Sequence, residues 1–403
     1  MTPADDRARW REGDRAARPR RLDRLRQRLA QEGLDAYFGV RPENARYLTG
    51  FALDDGEEKV AGQSGYFLVG GDEVVVLADS RYAEQAGEQC EGARIEPVYR
   101  DFEQRWPALL AGLRSIGERA GSAPAVRRLA VEAAAVSHAT WTSLSAAEPA
   151  VELVPVDGWI EQLRAVKEPL EVERIRAACA VADAALARLL PRIQPGVPER
   201  ELALALEWEM RTNGADAIAF GVACLGGPRA ALPHGSPSDR PIRAGEALLF
   251  DFGAQIDGYR SDMTRTLFVD EPSPRDRQLY ELVILAQECA LDELQASVRS
   301  GVVPTNRDID AAARDVIVED GHGEHFGHGL GHGIGLATHE LPSLGSRSPE
   351  AALPTPSVFS VEPGVYLPAD TGVRIEDLVL FDLDRPALER LTTFPRELTV
   401  VGA

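Results

Sequence analysis

Two short stretches of this 403-residue chain each bring a pair of acids together, and the two pairs read as one negatively charged site. In LLFDFGAQIDGYRSDMTRTLFV (248–269), apolar runs flank Asp257-Gly258, the dipeptide of a tight hairpin turn, so partners across the ladder have numbers that sum to 515. Asp251 then faces Thr264 and Asp262 faces Gly253, which leaves the aspartates as diagonal neighbours on one face, roughly 7–8 Å apart or less. In FSVEPGVYLPADTGVRIEDLVLF (359–381), a loop centred on Ala369 sets Glu362 directly opposite Glu376, roughly 5 Å apart. Like charges so placed are destabilising unless neutralised, and the apolar strand sequence around both glutamates leaves little water for that task. A single such acid is ordinarily a solvent-facing strand residue. Four together ask for two divalent cations, and oxygen ligands with one or two imidazoles suit Mn²⁺, Co²⁺ or Zn²⁺.

The imidazoles lie between the hairpins. The chain has 7 histidines, of which His322, His325, His328, His332 and His339 crowd into GHGEHFGHGLGHGIGLATHE (321–340). Glycine at 327, 329, 331, 333 and 335 disfavours helix. In an extended chain those glycines form one face, open to close approach by backbone or ligand, with His328, Leu330, His332, Ile334 and Leu336 on the other. At ~3.3 Å per residue His328 and His332 are about 13 Å apart on a straight strand, too far to share an ion. One of the two is then a metal ligand and the other faces substrate, and spacing does not say which. His322 and His325 read as polar loop residues. The helical zinc motif H-E-x-x-H is absent, because Leu341-Pro342-Ser343 follow His339-Glu340.

The elements that must hold these residues divide into two groups. Leu22, Leu25 and Leu29 recur at helical spacing and Gly33 stops that helix. DAYFGV, GYFLVGG, EVVVLAD, RRLAVE and AVELVPV read as strands, the second and third joined by a Gly70-Gly71-Asp72 turn. SRYAEQAGEQ and QRWPALLAGLRSIGERA (104–120) read as helices, and the whole makes an α/β domain over 1–157. From there Lys167-Glu168-Pro169 starts a long amphipathic helix marked by Ile175, Ala178, Ala182, Ala185, Leu186 and Leu189. With further helices at ERELALALEWEMRTNG and PRDRQLYELVILAQECALDELQAS, residues 158–403 form a larger α+β domain.

Composition removes whole classes of function. Lys+Arg 44 against Asp+Glu 64 gives a net charge of −20, which repels phosphate backbones and anionic lipid, so neither nucleic acid nor membrane is expected as a partner. The Arg-rich first thirty residues carry interspersed acids and read as a solvated arm or helix face. Without an apolar secretory h-region the expected location is cytoplasmic. Cys90, Cys179, Cys224 and Cys289 form no C-x-x-C and are expected to be reduced and buried. Neither a P-loop nor a G-x-G-x-x-G after a strand argues for nucleotide binding.

Several motifs resemble the signature of the pita-bread metallopeptidases, in the aminopeptidase P and prolidase (Xaa-Pro peptidase) branch: ALPHG (231–235), DFGA (251–254), SDMTRT (261–266), HGLGHGIGL (328–336), HE (339–340), VEPGVY (361–366) and GVRIED (372–377). ENARYLTGF and LADSRYAEQA are similar to the N-terminal creatinase/prolidase-like domain of that branch. The resemblance implies five metal ligands, Asp251, Asp262, His332, Glu362 and Glu376, with Asp262 and Glu376 bridging two ions, Mn²⁺ first among them. It implies that His234, His328 and His339 contact substrate or the developing tetrahedral intermediate, that Arg374 touches substrate or braces the ligands, and that the chain forms a homodimer. Leu225 stands where the family usually has serine or threonine, a change expected in the pocket lining.

The activity so implied is hydrolysis of the bond preceding proline in small peptides. Two ions hold and acidify a water, Glu362 takes its proton, and metal with His234 or His328 stabilises the oxyanion. The compact N-terminal domain inclines the expectation to an aminopeptidase P-like enzyme, with a prolidase acting on Xaa-Pro dipeptides as the alternative. A scaffold that binds peptides without catalysis would be expected to lack a ligand, and none of the five is missing.

Overall fold

The computed structural model describes residues 3–54, 56–99, 101–116 and 126–402. Two compact units divide the chain, Met1–Leu163 and Arg164–Ala403, and the division falls within the helix Trp159–Ala165.

The first unit is built on a six-stranded mixed sheet, ordered Arg94–Pro97, Val74–Ala78, Phe67–Val69, Ala36–Gly39, Arg128–Glu132, Glu152–Val156. Phe67–Val69 and Val74–Ala78 pair antiparallel across the Gly70-Gly71-Asp72 turn, while the outer pairs run parallel. Helices pack Phe102, Trp106 and Leu109 onto Phe38, Leu68, Val75 and Leu129. The Arg-rich N-terminal segment is the packed helix Pro3–Gln31, with Trp10, Ala17, Leu25 and Leu29 buried along one face. The helix expected over 104–120 is Phe102–Ala111, ended at Gly112, and residues 117–120 lie outside the described residues. Cys90, Cys179 and Cys224 are free and buried, whereas Cys289 is half-buried.

The second unit packs helices on sheets that are antiparallel except where Val400–Val401 joins Met263–Val269 in parallel. One sheet has the order Val400–Val401, Met263–Val269, Ala247–Phe252, Ala223–Gly226. Another has the order Glu340–Leu344, Gly331–Gly333, Ser357–Val361, Asp377–Asp382, Ala387–Arg390. The helices Pro274–Ser300 and Asn306–Glu319 cover them, burying Val283, Ala290, Ile309, Ala313 and Ile317 against Phe359, Val361 and Val379. Local signals set the helix ends. Ser273 accepts the Asp276 N–H ahead of Pro274, and Gly301 closes that helix with φ 71°. Thr305 and Asp308 form a capping box, as do Glu168 and Glu171 ahead of Pro169–Leu189. No helix among the described residues is long and apolar enough to cross a membrane.

Candidate metal centre

Both acid-bearing hairpins keep the register read from sequence, and both are interrupted where the acids sit. In the first, Thr264 pairs with Asp251 and Ile256 with Tyr259, and Asp257 (φ 44°) and Gly258 (φ 77°) supply the left-handed turn. Between those ladder segments the chain steps out of the sheet at Gly253, and its tip pairs with Ala217–Ile218 instead. A side chain at 253 would strike the Ser261 carbonyl, so glycine permits the step. Asp262 lies at this step, off the ladder and 4% exposed. In the second hairpin, Val361 pairs with Asp377 and Gly364 with Arg374, one register on either side of a gap that holds Glu362 and Glu376. The Glu362 N–H donates to Leu330 O at 2.8 Å and the Glu376 N–H to Thr264 O at 3.1 Å, the latter tying the two hairpins together.

The glycine-histidine run is extended only at Gly331–Gly333, between Glu340–Leu344 and Ser357–Val361. Side chains at Gly331 and Gly333 would meet the carbonyls of Ser360 and Leu341, so neighbouring backbone fills the smooth face. Upstream, residues 327–330 do not continue the strand, because side chains of Asp310 and Arg314 take their backbone groups in place of a strand partner. His332 thereby projects at the acids. One ligand-capable atom each of Asp262, His332 and Glu376 lie within 4.8 Å of one another. His332 Nε2 is 3.7 Å from Asp262 Oδ2 and 3.4 Å from Glu362 Oε1. Asp251 Oδ2 accepts from Arg374 Nη2 at 2.6 Å.

Two oxygens decide what this cluster fits. Asp262 Oδ1 and Glu376 Oε1 are buried and, among the described residues, have no hydrogen-bond partner. Each bare group costs about 1–3 kcal/mol. Burial pushes the Asp262 carboxyl well above its ordinary range, and Glu376, Asp251 and Glu362 push it further. Burial does the same to Glu376, with Glu362 and Asp251 adding to it. Burial also lowers the His332 pKa, which keeps the imidazole neutral and its Nε2 able to coordinate, while Nδ1 donates to Gly333 O at 3.0 Å. Carboxylate oxygens without partners, converging with a neutral imidazole, are the donor set of a divalent cation.

Around the acids runs a hydrogen-bonded frame in which Thr264, Ser360 and Tyr366 join the expected Arg374 and His328. Thr264 Oγ1 donates to Glu376 Oε2 at 2.6 Å and receives Arg374 Nε at 2.8 Å. Ser360 Oγ donates to Glu362 Oε1 at 2.9 Å and receives the His332 N–H at 3.0 Å. Arg374 is 3% exposed and also donates to Pro233 O and to Tyr366 Oη. His328 donates from Nδ1 to Gly329 O at 2.7 Å, so its Nε2 accepts the Tyr366 hydroxyl at 2.8 Å. Glu340, the acid of the HE motif, is not at the cluster. It pairs with Arg164 and, at 3.1 Å, with Lys167, and accepts the Ala337 N–H, fixing the loop that carries His339. The His339 ring centroid lies 4.2 Å from that of His332.

All the residues expected at the site, His234, Asp251, Asp262, His328, His332, His339, Glu362, Arg374 and Glu376, line one cavity of about 860 Å³. His322 and His325 lie outside it, around the short turn Gly323–His325. The change expected in the pocket lining at Leu225 is not found. Leu225 is 1% exposed because Gly235 packs over it on the sheet face it shares with Asp251. Phe220 and Phe326 give the cavity aromatic wall, and Arg347 stands on it with Ser346 and Ser348.

Comparisons with known proteins agree with this architecture. The model of metallopeptidase family M24 matches residues 173–382, and that of the creatinase/prolidase N-terminal domain matches residues 21–166. The Xaa-Pro dipeptidase of Pyrococcus furiosus is 32% identical over 94% of this chain and 99% of its own. Among solved structures, a Xaa-Pro dipeptidase from Bacillus anthracis superposes with TM-score 0.81 at 32% identity, covering 95% of this chain and 99% of that one. An X-Pro aminopeptidase from Thermotoga maritima gives 0.80 at 32%, covering 94% and 99%.

Proposed function

The chain belongs to metallopeptidase family M24, and from that premise we propose that it hydrolyses the Xaa-Pro bond of small peptides, with dipeptides as preferred substrates. The observation that carries the reading is the pair of bare carboxylate oxygens on Asp262 and Glu376, two side chains that converge with a neutral His332. In this reading Asp251, Asp262, His332, Glu362 and Glu376 would hold two divalent ions. When bound, such ions supply Lewis acidity at the scissile carbonyl and bring the pKa of water toward neutrality.

The chain's own groups do the rest. Glu362 holds Ser360 with Oε1, which leaves Oε2 to take the proton of the attacking water. His234 is exposed to the cavity, and among the described residues its ring has no hydrogen-bond partner, so it is free to donate to the oxyanion. His328 is engaged by Tyr366 at Nε2 and instead holds the Tyr366–Arg374 pair against Asp251. His339, half-buried beside His332, contacts the substrate. Proline's tertiary amide gives the leaving nitrogen no N–H, so selection rests on the shape of the wall around its ring.

Arg347 inclines the reading to dipeptides, because a guanidinium on the cavity wall suits the free carboxylate that a dipeptide brings close to the scissile bond. The Thermotoga maritima relative favours a second reading, aminopeptidase P-like cleavage of longer Xaa-Pro peptides, toward which the N-terminal domain alone inclined the expectation. Comparing kcat/KM for Xaa-Pro and Xaa-Pro-Xaa substrates with Mn²⁺ present separates them. Preference for the dipeptide, and a rise in its KM of about tenfold in Arg347→Ala, supports the first. Preference for the tripeptide moves the chain to the second, and turnover of neither contradicts the Xaa-Pro assignment.

A further inference from the structure

The segment that delivers His328 is paired in no ladder among the described residues, yet its backbone is held at every second residue. Arg314 Nη1 donates to Phe326 O at 2.9 Å, Arg314 Nη2 donates to His328 O at 2.7 Å, and Asp310 Oδ1 accepts the Leu330 N–H at 3.0 Å. Two side chains, one turn apart on the helix Asn306–Glu319, take these groups where no ladder does. The pair is itself bidentate, Nε to Oδ2 at 2.7 Å and Nη2 to Oδ1 at 2.8 Å, with the Asp310 side chain 1% exposed. A planar guanidinium can grip a carboxylate and two carbonyls together, which an ammonium cannot. The same guanidinium lies 4.1 Å from the Phe326 ring centroid, and Phe326 meets the His328 ring edge-on at 5.0 Å. Backbone and ring of His328 are thus both referred to one helix.

We infer that Asp310 and Arg314 are positioning residues of the peptidase reaction, acting through His328 on the Tyr366–Arg374–Asp251 chain. The inference rests on the function proposed above, in which His328 is needed for turnover. A buried ion pair serving stability alone would hold the helix without being coupled to the histidine. The two roles differ in how substitutions combine.

The test is a double-mutant cycle on the Mn²⁺-loaded full chain with an Xaa-Pro dipeptide, following kcat and KM separately, with bound Mn²⁺ and thermal unfolding recorded for each variant. Arg314→Ala is expected to lower kcat by on the order of 10²-fold, the loss that follows a misplacement of ~1 Å, with KM and bound Mn²⁺ little changed. Arg314→Lys is expected to do no better. Adding Arg314→Ala to His328→Ala is expected to cause no further loss, because the two act as a unit. Should Arg314→Ala fail to fold, Arg314→Lys and Asp310→Asn carry the same cycle, since Asn keeps the oxygen that Leu330 uses. Losses that multiply, or wild-type kcat in the Arg314 and Asp310 variants, overturn the inference alone. Wild-type kcat in His328→Ala overturns the role given to that histidine as well.

Discussion

Buried acids in the catalytic unit are of two kinds, and the contrast explains the site. Glu340 has Arg164 and Lys167, Asp377 has Arg265 at 2.7 Å, and Glu199 has Arg229 at 2.9 Å; each of these carboxylates also collects backbone or hydroxyl donors. Asp262 and Glu376, also buried, each keep one oxygen without a hydrogen-bond partner among the described residues. The fold therefore neutralises its structural acids from within and leaves bare those that face the cavity. The electrostatics take opposite signs accordingly. Burial alone would raise the Glu340 pKa, but its two cations bring it down to about 2, whereas burial and neighbouring acids push Asp262 and Glu376 well up.

Substitutions can break this contrast from either side. Asp262→Asn or Glu376→Gln should cost the most, lowering turnover by on the order of 10³-fold or more in steady-state assays, since either removes a carboxylate that would hold the ions. Wild-type rates would return these acids to the structural kind. Glu340→Gln comes next, destabilising the fold by roughly 3–5 kcal/mol in denaturant titrations because it leaves Arg164 and Lys167 buried beside a neutral group. The pH dependence follows from the lowered pKa. The Glu340 contribution is complete above the unfolded value of 4.5 and is lost as pH falls toward about 2, so Glu340→Gln should lack that part of the acid-unfolding curve. The smallest effect is also the sharpest. In chelator-treated protein Glu376→Gln should leave stability unchanged or raise it by roughly 1–2 kcal/mol, because it removes an unpaired charge. For the same reason Asp262 and Glu376, with raised pKa values, favour the folded metal-free chain more as pH falls through them, the reverse of Glu340. A loss of stability in metal-free Glu376→Gln equal to that in Glu340→Gln would erase the distinction.

The register of both hairpins was legible because turn residues and a period of two leave few alternatives: Asp257-Gly258 fixes Asp251 opposite Thr264, and the loop around Ala369 fixes Gly364 opposite Arg374. The interruptions were not legible. Nothing local says that Gly253 lies against Ser261, or that the amides of Glu362 and Glu376 leave their hairpin for Leu330 and Thr264. Thr264, Ser360 and Tyr366 escaped notice because their roles exist only across segments far apart in the chain. The helix Asn306–Glu319 did carry a signal, Thr305 with Asp308 ahead of Ile309, Ala313 and Ile317, and with it the Asp310–Arg314 pair one turn apart. Leu225 was misplaced for a long-range reason too. Pairing sets it on the sheet face that carries Asp251, but Gly235 lies over it there and leaves it 1% exposed.

The central claim, that the bare acids exist to hold cations, is tested most directly by counting metal. Elemental analysis after equilibrium dialysis against Mn²⁺, run in parallel with turnover, should find two ions per wild-type chain and fewer in Asp262→Asn and Glu376→Gln, with activity following occupancy. A wild-type chain that turns over fully with no divalent ion bound, or variants that retain the wild-type count, would contradict it.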